Sequence, residues 1–359
     1  MPTNIPPIKT PPVILFRADA SVGIGIGHIM RCRSLAQALA ARGAVCHFAS
    51  IEIPPMLVSL LRESGFAFHS LAAERGGASD AAATCDLARQ LSAGAVVADS
   101  YAFGADWYAA LKPAGPLLVL DDLGEVSGLS ADLVWNASPN ADTISYAELA
   151  PGARLLLGPV YAPIRQEIAS WRGRLAPVAA RPRLLVMIGG TDPLRLSLPL
   201  TRRLTALGPR LTVALGSRHP DLDDLRAEQA RHPSLDLLID RFDCGPAMAE
   251  AGLAITGGGT TTAELACLGV PAVLALVADN QIPAARRLAA NGLFAIEDVR
   301  EPPVDHAASR LVRAAATLWQ DLSRRQEVSA RLFNTYDGQG AGRVATALLD
   351  YLQSGTAHG

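Results

Sequence analysis

The sequence predicts an α/β protein of two doubly wound parallel-sheet domains facing across a cleft. Three observations predict it. Short apolar runs recur with helical stretches between them, the rhythm of βαβ units. Two of these runs, 13–16 and 184–188, lead into glycine-rich turns that precede helices. The chain has 359 residues, 50% of them hydrophobic, which is enough to bury two cores.

Taken in order, residues 1–12 are proline-rich, without the basic start and apolar centre of a secretory signal, and read as a disordered leader. Residues 13–16 form the first strand. It runs into Val22-Gly23-Ile24-Gly25-Ile26-Gly27-His28 and a helical segment that stops at Gly43. A bare helix start there offers unpaired N–H groups to an anion. Histidine exchanges a proton near neutral pH, and at a strand's C-terminal edge it faces the crevice where α/β proteins bind ligands. His28 is therefore the candidate catalytic residue; the alternative is a tight turn with an incidental histidine. Strands at 45–50, 95–98 and 116–120 follow, the last two ending in Asp99-Ser100-Tyr101 and Asp121-Asp122. Asp99 reads equally as a ligand contact or a helix cap. The pair Asp121-Asp122 points to function, because one cap needs one Asp. Residues 132–136 form a further short strand, and 155–161 approach a domain boundary.

The first domain is expected over 13–171, with a linker at 172–182 where Pro177, Ala179 and Ala180 interrupt any amphipathic pattern. A second domain follows over 183–345, then a tail at 346–359. Its first strand, 184–188, is unbroken apolar sequence and ends in Gly189-Gly190-Thr191-Asp192-Pro193. Strands at 211–215, 235–239, 253–255 and 272–276 continue the rhythm. The densest polar cluster is Gly257-Gly258-Gly259-Thr260-Thr261-Thr262-Ala263-Glu264. Glycines admit a ligand close to the backbone, hydroxyls and helix N–H groups bind phosphate oxygens, and a carboxylate can hold two ribose hydroxyls. This suits a nucleoside diphosphate, although it is neither a Walker loop nor Gly-x-Gly-x-x-Gly. The alternative is a capping box, with a threonine as cap and Glu264 completing it. Ala278-Asp279-Asn280-Gln281 places amides at another strand end, as turn formers or as partners for sugar substituents.

Other features narrow the function. A formal net charge of −2 without long like-charge runs leaves no footprint for nucleic acid or anionic membrane. No apolar run is long enough for membrane insertion, and a cytoplasmic protein is expected. The five cysteines lack metal-ligand spacing and read as reduced core thiols, so no metal is indicated. His47 and His69 read as core or edge residues, and His219 and His232 as loop residues without a partner pattern. No Ser-His-Asp order or nucleophile elbow is present.

Phe16-Arg17-Ala18-Asp19-Ala20-Ser21 with Gly25-Ile26-Gly27-His28-Ile29-Met30-Arg31-Cys32, followed in order by Asp99-Ser100-Tyr101, Leu120-Asp121-Asp122-Leu123, Leu157-Gly158-Pro159-Val160-Tyr161, Gly189-Gly190-Thr191-Asp192 and the glycine-threonine cluster, resembles the UDP-sugar hydrolases of the pseudaminic acid pathway. Ala263 stands where such hydrolases often carry Trp. The resemblance implies two Rossmann-like domains in the manner of GT-B glycosyltransferases, with substrate in the cleft. The enzyme is expected to need neither metal nor cofactor and to be a monomer. It would hydrolyse the anomeric C–O bond of a UDP-linked 2,4-diacetamido-2,4,6-trideoxy sugar with inversion, in nonulosonic acid biosynthesis for surface or flagellin glycosylation. His28 would be the general base. Asp19, Gly27, Arg31, Tyr101, Asp121, Asn280 and Gln281 would contact the sugar side. Gly190, Thr191, Gly258, Gly259, Thr260, Thr261 and Glu264 would hold the nucleotide. The alternatives are a glycosyltransferase using a UDP-sugar donor and a non-catalytic nucleotide-sugar binding protein.

Overall fold

A computed structural model of the chain describes residues 11–21, 23–190, 192–301 and 303–356. Two compact units are present, Met1–Pro163 with Gln339–Gly359, and Ile164–Gly338. The expected leader lies almost wholly outside the described residues.

The first unit carries β1 (Val13–Ala18), β2 (Val45–Ser50), β3 (Ala67–Ser70), β4 (Ala95–Asp99), β5 (Leu117–Leu120), β6 (Leu133–Asn136) and β7 (Arg154–Leu157). They form one parallel sheet in the order β3-β2-β1-β4-β5-β6-β7. The central strands β4, β5 and β6 are buried at every residue, which is why they read as continuous apolar runs. β3, Ala-Phe-His-Ser at the sheet edge, is half-exposed and leaves no such run. The chain builds outward from β1 through β2 to β3, then returns past β1 to add β4. That reversal leaves a crevice at the carboxyl ends of the two neighbouring strands. β1 and β4 lie in register there, with Ala18 opposite Asp99.

The stretch expected as a tail is instead a helix, Gly340–Thr356, which belongs to the first unit. Its Val344, Ala345 and Leu348 are fully buried, and it packs on the helix Gly27–Ala40. The expected linker also differs. The second unit begins at Ile164, and 172–182 is tied into it by arginines rather than left as a connector. Arg172 donates to the carbonyls of Tyr336 (2.7 Å) and Phe333 (3.0 Å) and lies 3.5 Å over the Phe333 ring. Arg181 donates to Leu268 O at 2.9 Å. Interruption of the amphipathic pattern marks irregular backbone, and such side-chain anchors are not visible in that pattern.

The second unit carries β8 (Arg183–Met187), β9 (Arg210–Leu215), β10 (Leu235–Ile239), β11 (Ala251–Gly257), β12 (Ala272–Leu276) and β13 (Ala295–Asp298). They make a second all-parallel sheet in the order β10-β9-β8-β11-β12-β13. Its reversal lies between β8 and β11, where Thr256 Oγ1 donates to Met187 O at 2.9 Å. Leu184, Val186, Leu211, Val213, Leu253 and Ile255 lead one core cluster of this unit. Each such side chain contributes roughly 1.5–3 kcal/mol by leaving water. Neither sheet relies on disulfides, since all five cysteines are free and buried. Among the described residues no helix is long and apolar enough to cross a membrane.

Candidate active site

In the first unit the polar groups gather where β1 and β4 end. The helix Gly27–Ala40 starts directly after the glycine turn, with Ile26 as an N-cap that makes no side-chain cap bond and no acidic residue in its first turn. His28 therefore sits on an uncapped first turn. Gly25, at φ +80°, adopts the left-handed backbone that the turn requires and that glycine tolerates.

Asp99, fully buried at the tip of β4, approaches His28 Nδ1 with Oδ1 at 2.6 Å. Arg31, one helical turn beyond His28, donates Nη2 to the same oxygen (2.5 Å) and Nε to Oδ2 (2.6 Å). Burial alone would push the Asp99 carboxyl up. Arg31, by its charge and its hydrogen bonds, and then His28 outweigh it and hold the group well below the usual carboxylate range. An ionised carboxylate only accepts, so Nδ1 carries the hydrogen and the neutral ring keeps its lone pair on Nε2. Nε2 makes no hydrogen bond among the described residues.

Arg31 also donates to Asp122 Oδ2 at 2.7 Å. Burial would lower its pKa, but Asp99 and Asp122 hold it well above the ordinary value, so it stays a fixed cation. Tyr101, 55% exposed, donates its hydroxyl to the same Asp122 oxygen at 3.1 Å and sets its ring edge-on to His28, centroids 4.8 Å apart. Burial and then the Asp122 charge push the Tyr101 phenol up, so it remains a proton-bearing donor.

The structure brings together only part of the expected sugar-side set. His28, Arg31 and Tyr101 share this cluster, and Gly27 opens the helix beneath it. Asp19 is 1% exposed and occupied elsewhere, accepting from the N–H groups of Ile51 (2.7 Å) and Glu52 (3.2 Å) and lying 2.8 Å from Arg17. Asp121 Oδ1 closes a turn by accepting from Leu123 and Gly124 N–H; its neighbour Asp122 is the one that meets Arg31. Asp99, which reads in sequence equally as a ligand contact or a cap, and Asp122, from the pair that points to function, complete the cluster, although neither is among the substrate contacts named from sequence. The available signal is position: each closes or follows a strand tip, which is also where helix caps stand.

In the second unit the glycine-threonine segment follows β11. Gly259 and Thr260 are exposed, Gly258 and Thr261 half-buried. The helix Thr261–Cys267 has Thr260 as its N-cap without a side-chain cap bond, so no capping box forms. Thr262 Oγ1 turns back to Gly257 O at 3.2 Å. Both oxygens of Glu264 are held by Arg165, at 2.5 Å from Nε and 2.7 Å from Nη2, and Arg165 also donates to Phe242 O. Burial would lower the Arg165 pKa, and the Glu264 charge more than restores it. Arg165 is a further residue that sequence reasoning misses, 99 positions from its partner.

A Cβ on Gly258 would stand 3.1 Å from Gln281 Oε1, which accepts from Val277 N–H at 3.1 Å, so Gln281 backs the glycine turn. Asn280 is exposed beside it on the single turn Asp279–Gln281. Gly190 follows β8 and its carbonyl accepts from Gly216 N–H at 2.8 Å. Thr191 lies outside the described residues. Among the described residues no group of three or more His, Cys, Asp or Glu side chains could hold a metal ion.

Comparisons with known proteins agree with the fold. No family model matches the chain. The chain is 24% identical, over 280 residues, to the UDP-2,4-diacetamido-2,4,6-trideoxy-beta-L-altropyranose hydrolase of Campylobacter jejuni, covering 78% of this chain and 97% of that one. Among solved structures, MurG of Acinetobacter baumannii superposes with a TM-score of 0.64 at 18% identity, covering 96% of this chain and 100% of that one. The calicheamicin glycosyltransferase CalG4 gives 0.63 at 14% identity over 96% and 99%. Anabaena HepE, solved with UDP and glucose, gives 0.56 at 15% over 94% and 99%. The chain thus has a GT-B glycosyltransferase fold and resembles a UDP-sugar hydrolase in sequence.

Proposed function

We propose that this protein hydrolyses a UDP-linked 2,4-diacetamido-2,4,6-trideoxy sugar, releasing UDP and the free sugar with inversion at the anomeric carbon. The observation that carries this reading is the 2.6 Å contact of His28 Nδ1 with a buried, ionised Asp99, which leaves Nε2 as the basic nitrogen of a ring seated on a strand-end turn.

In this mechanism Nε2 of His28 takes a proton from water as the water oxygen bonds to C1, the C1–O bond breaks, and its electron pair leaves on the diphosphate. A positioned base of this kind contributes roughly a hundredfold to ten-thousandfold. Asp99 fixes the tautomer and stabilises the imidazolium that forms. Tyr101, in a T-shaped contact with His28, meets the sugar in this mechanism, with Arg31 and Asp122 holding the ring and the phenol in position. The turn after β11, with the N–H groups and hydroxyls of Gly258 to Thr261, receives the leaving diphosphate, a preorganised donor set acting on developing charge. Glu264, Gly190 and Thr191 belong to the nucleotide side, and Asn280 and Gln281 to the sugar's substituents.

The relative's name supports the hydrolytic reading. The fold shared with MurG and CalG4 favours a second one, transfer of the sugar to an acceptor alcohol. Incubating the protein with the diacetamido UDP-sugar and no acceptor, followed by proton NMR, separates them. Hydrolysis yields UDP and the inverted free sugar. An intact donor that is consumed only when an acceptor alcohol is added identifies a transferase.

A further inference from the structure

A buried ionic chain in the second unit has no part in the reaction above. Asp192, fully buried two residues after Gly190, adopts φ +39°, a left-handed backbone that a non-glycine residue rarely holds without support. Its Oδ2 accepts from Ser197 N–H at 2.6 Å, at the start of the helix Ser197–Thr205, and lies 3.3 Å from His219 Nε2. His219 comes from the loop after β9 and its side chain is fully buried. Its Nδ1 accepts from Asp221 N–H at 3.0 Å, so Nε2 carries the hydrogen and donates to Asp192. The Asp221 carboxylate in turn holds Arg195, which is itself left-handed at φ +55° and lies on the same loop as Asp192. The backbone repeats the connection, Gly216 N–H donating to Gly190 O at 2.8 Å. A Cβ at Gly216 would stand 2.8 Å from that carbonyl oxygen, so the two loops meet at a distance only glycine allows. His219 is thus not the partnerless loop histidine expected from sequence.

We propose that His219 is a positioning residue for nucleotide binding: through Asp192 it holds the Gly189-Gly190 turn at the tip of β8 in the shape that meets the nucleotide. The inference rests on the nucleotide reading of the second unit. Asp192 and Arg195 are left-handed non-glycines, so their backbone is held by contacts from the β9 loop and not by local preference. Cutting the contact at His219 lets the backbone at Asp192 relax, and Gly190 is no longer preorganised before the nucleotide binds.

UDP affinity measured by calorimetry tests this on the full chain, with wild type beside His219→Leu, which keeps volume without a donor, and His219→Gln, which keeps a donor near Nε2. Far-UV circular dichroism checks that each variant is folded. The Leu variant should bind UDP about tenfold more weakly and the Gln variant within about threefold of wild type. In turnover, the Leu variant should show the loss in KM with kcat little changed. A folded Leu variant that binds UDP as wild type does overturns the proposal. If the Leu variant does not fold, the reading passes to Arg195→Ala, whose exposed side chain leaves no cavity; weaker binding by about threefold or more is expected, and unchanged binding overturns the proposal. Wild type failing to bind UDP at all would instead remove the nucleotide reading itself.

Discussion

His28 and Asp99 come from positions 71 residues apart and meet at 2.6 Å through Nδ1 and Oδ1, with the guanidinium of Arg31 spanning both oxygens of the same carboxylate. The contact follows from topology: β1 and β4 are neighbours only because the sheet order reverses between them. It makes Asp99, not only His28, a target for mutation.

Replacing Asp99 by Asn keeps the size of the side chain and removes the charge that orders the ring. The amide oxygen introduced by Asp99→Asn can still accept from Nδ1, but the amide nitrogen can also donate, which favours the wrong tautomer. Turnover of the UDP-sugar should fall by about a hundredfold or more. A variant with near-normal kcat would show that the ring does not depend on this carboxylate.

The same carboxylate sets an acid-side dependence of stability. Its folded-state pKa is depressed, because Arg31 and then His28 outweigh the opposing effect of burial. A depressed carboxyl contributes stability that is complete above its unfolded pKa, about 3.9, and is lost as pH falls below that value toward the folded one. The wild-type melting temperature should therefore drop as pH falls from about 4 to about 2, and Asp99→Asn should drop less over that interval. Parallel acid slopes for the two proteins would contradict this.

In the second unit, Arg165 and Glu264 are a mostly buried bidentate pair, 11% and 7% exposed at their side chains. Arg165→Met leaves Glu264 buried without its partner and should destabilise the protein by about 3–5 kcal/mol in urea unfolding. The double variant Arg165→Met/Glu264→Met removes both charges and should recover a large part of that loss. A single variant as stable as wild type would mean that the pair is dispensable.

Gly258→Ala tests the close approach at the nucleotide turn. The added Cβ would stand 3.1 Å from the Gln281 amide oxygen and 3.3 Å from its Cβ, so Gln281 must give by a few tenths of an ångström; the fold should hold, at a cost of about 1 kcal/mol. UDP affinity should nevertheless fall by about tenfold, because the methyl group pushes on Gln281, which backs the turn, and the turn shifts from the shape that meets the phosphates. Unchanged UDP affinity would move the diphosphate away from this turn.

Much of the fold is legible in the sequence because buried parallel strands are written as unbroken apolar runs, as at 95–98 and 184–188. β3 and β13 are hidden because they are half-exposed edge strands whose residues satisfy no simple pattern. The helix Gly340–Thr356 reads as a tail in sequence because its return to the first unit depends on packing against a helix at the other end of the chain, Gly27–Ala40. At the site, the glycine turn announces His28. Asp99 reads equally as a helix cap, the Asp121-Asp122 pair signals function without saying which member meets Arg31, and Arg165 meets Glu264 across 99 positions, a contact that no local pattern shows.

The most direct measurement of the central claim is turnover of the diacetamido UDP-sugar in oxygen-18-labelled water by wild type and His28→Ala, with the label located by mass spectrometry. Attack by water on C1 under a His28 base requires the label in the free sugar and none in UDP, with the variant slowed by about a hundredfold or more. Label in UDP, or a folded His28→Ala variant that turns over at the wild-type rate, would contradict the account.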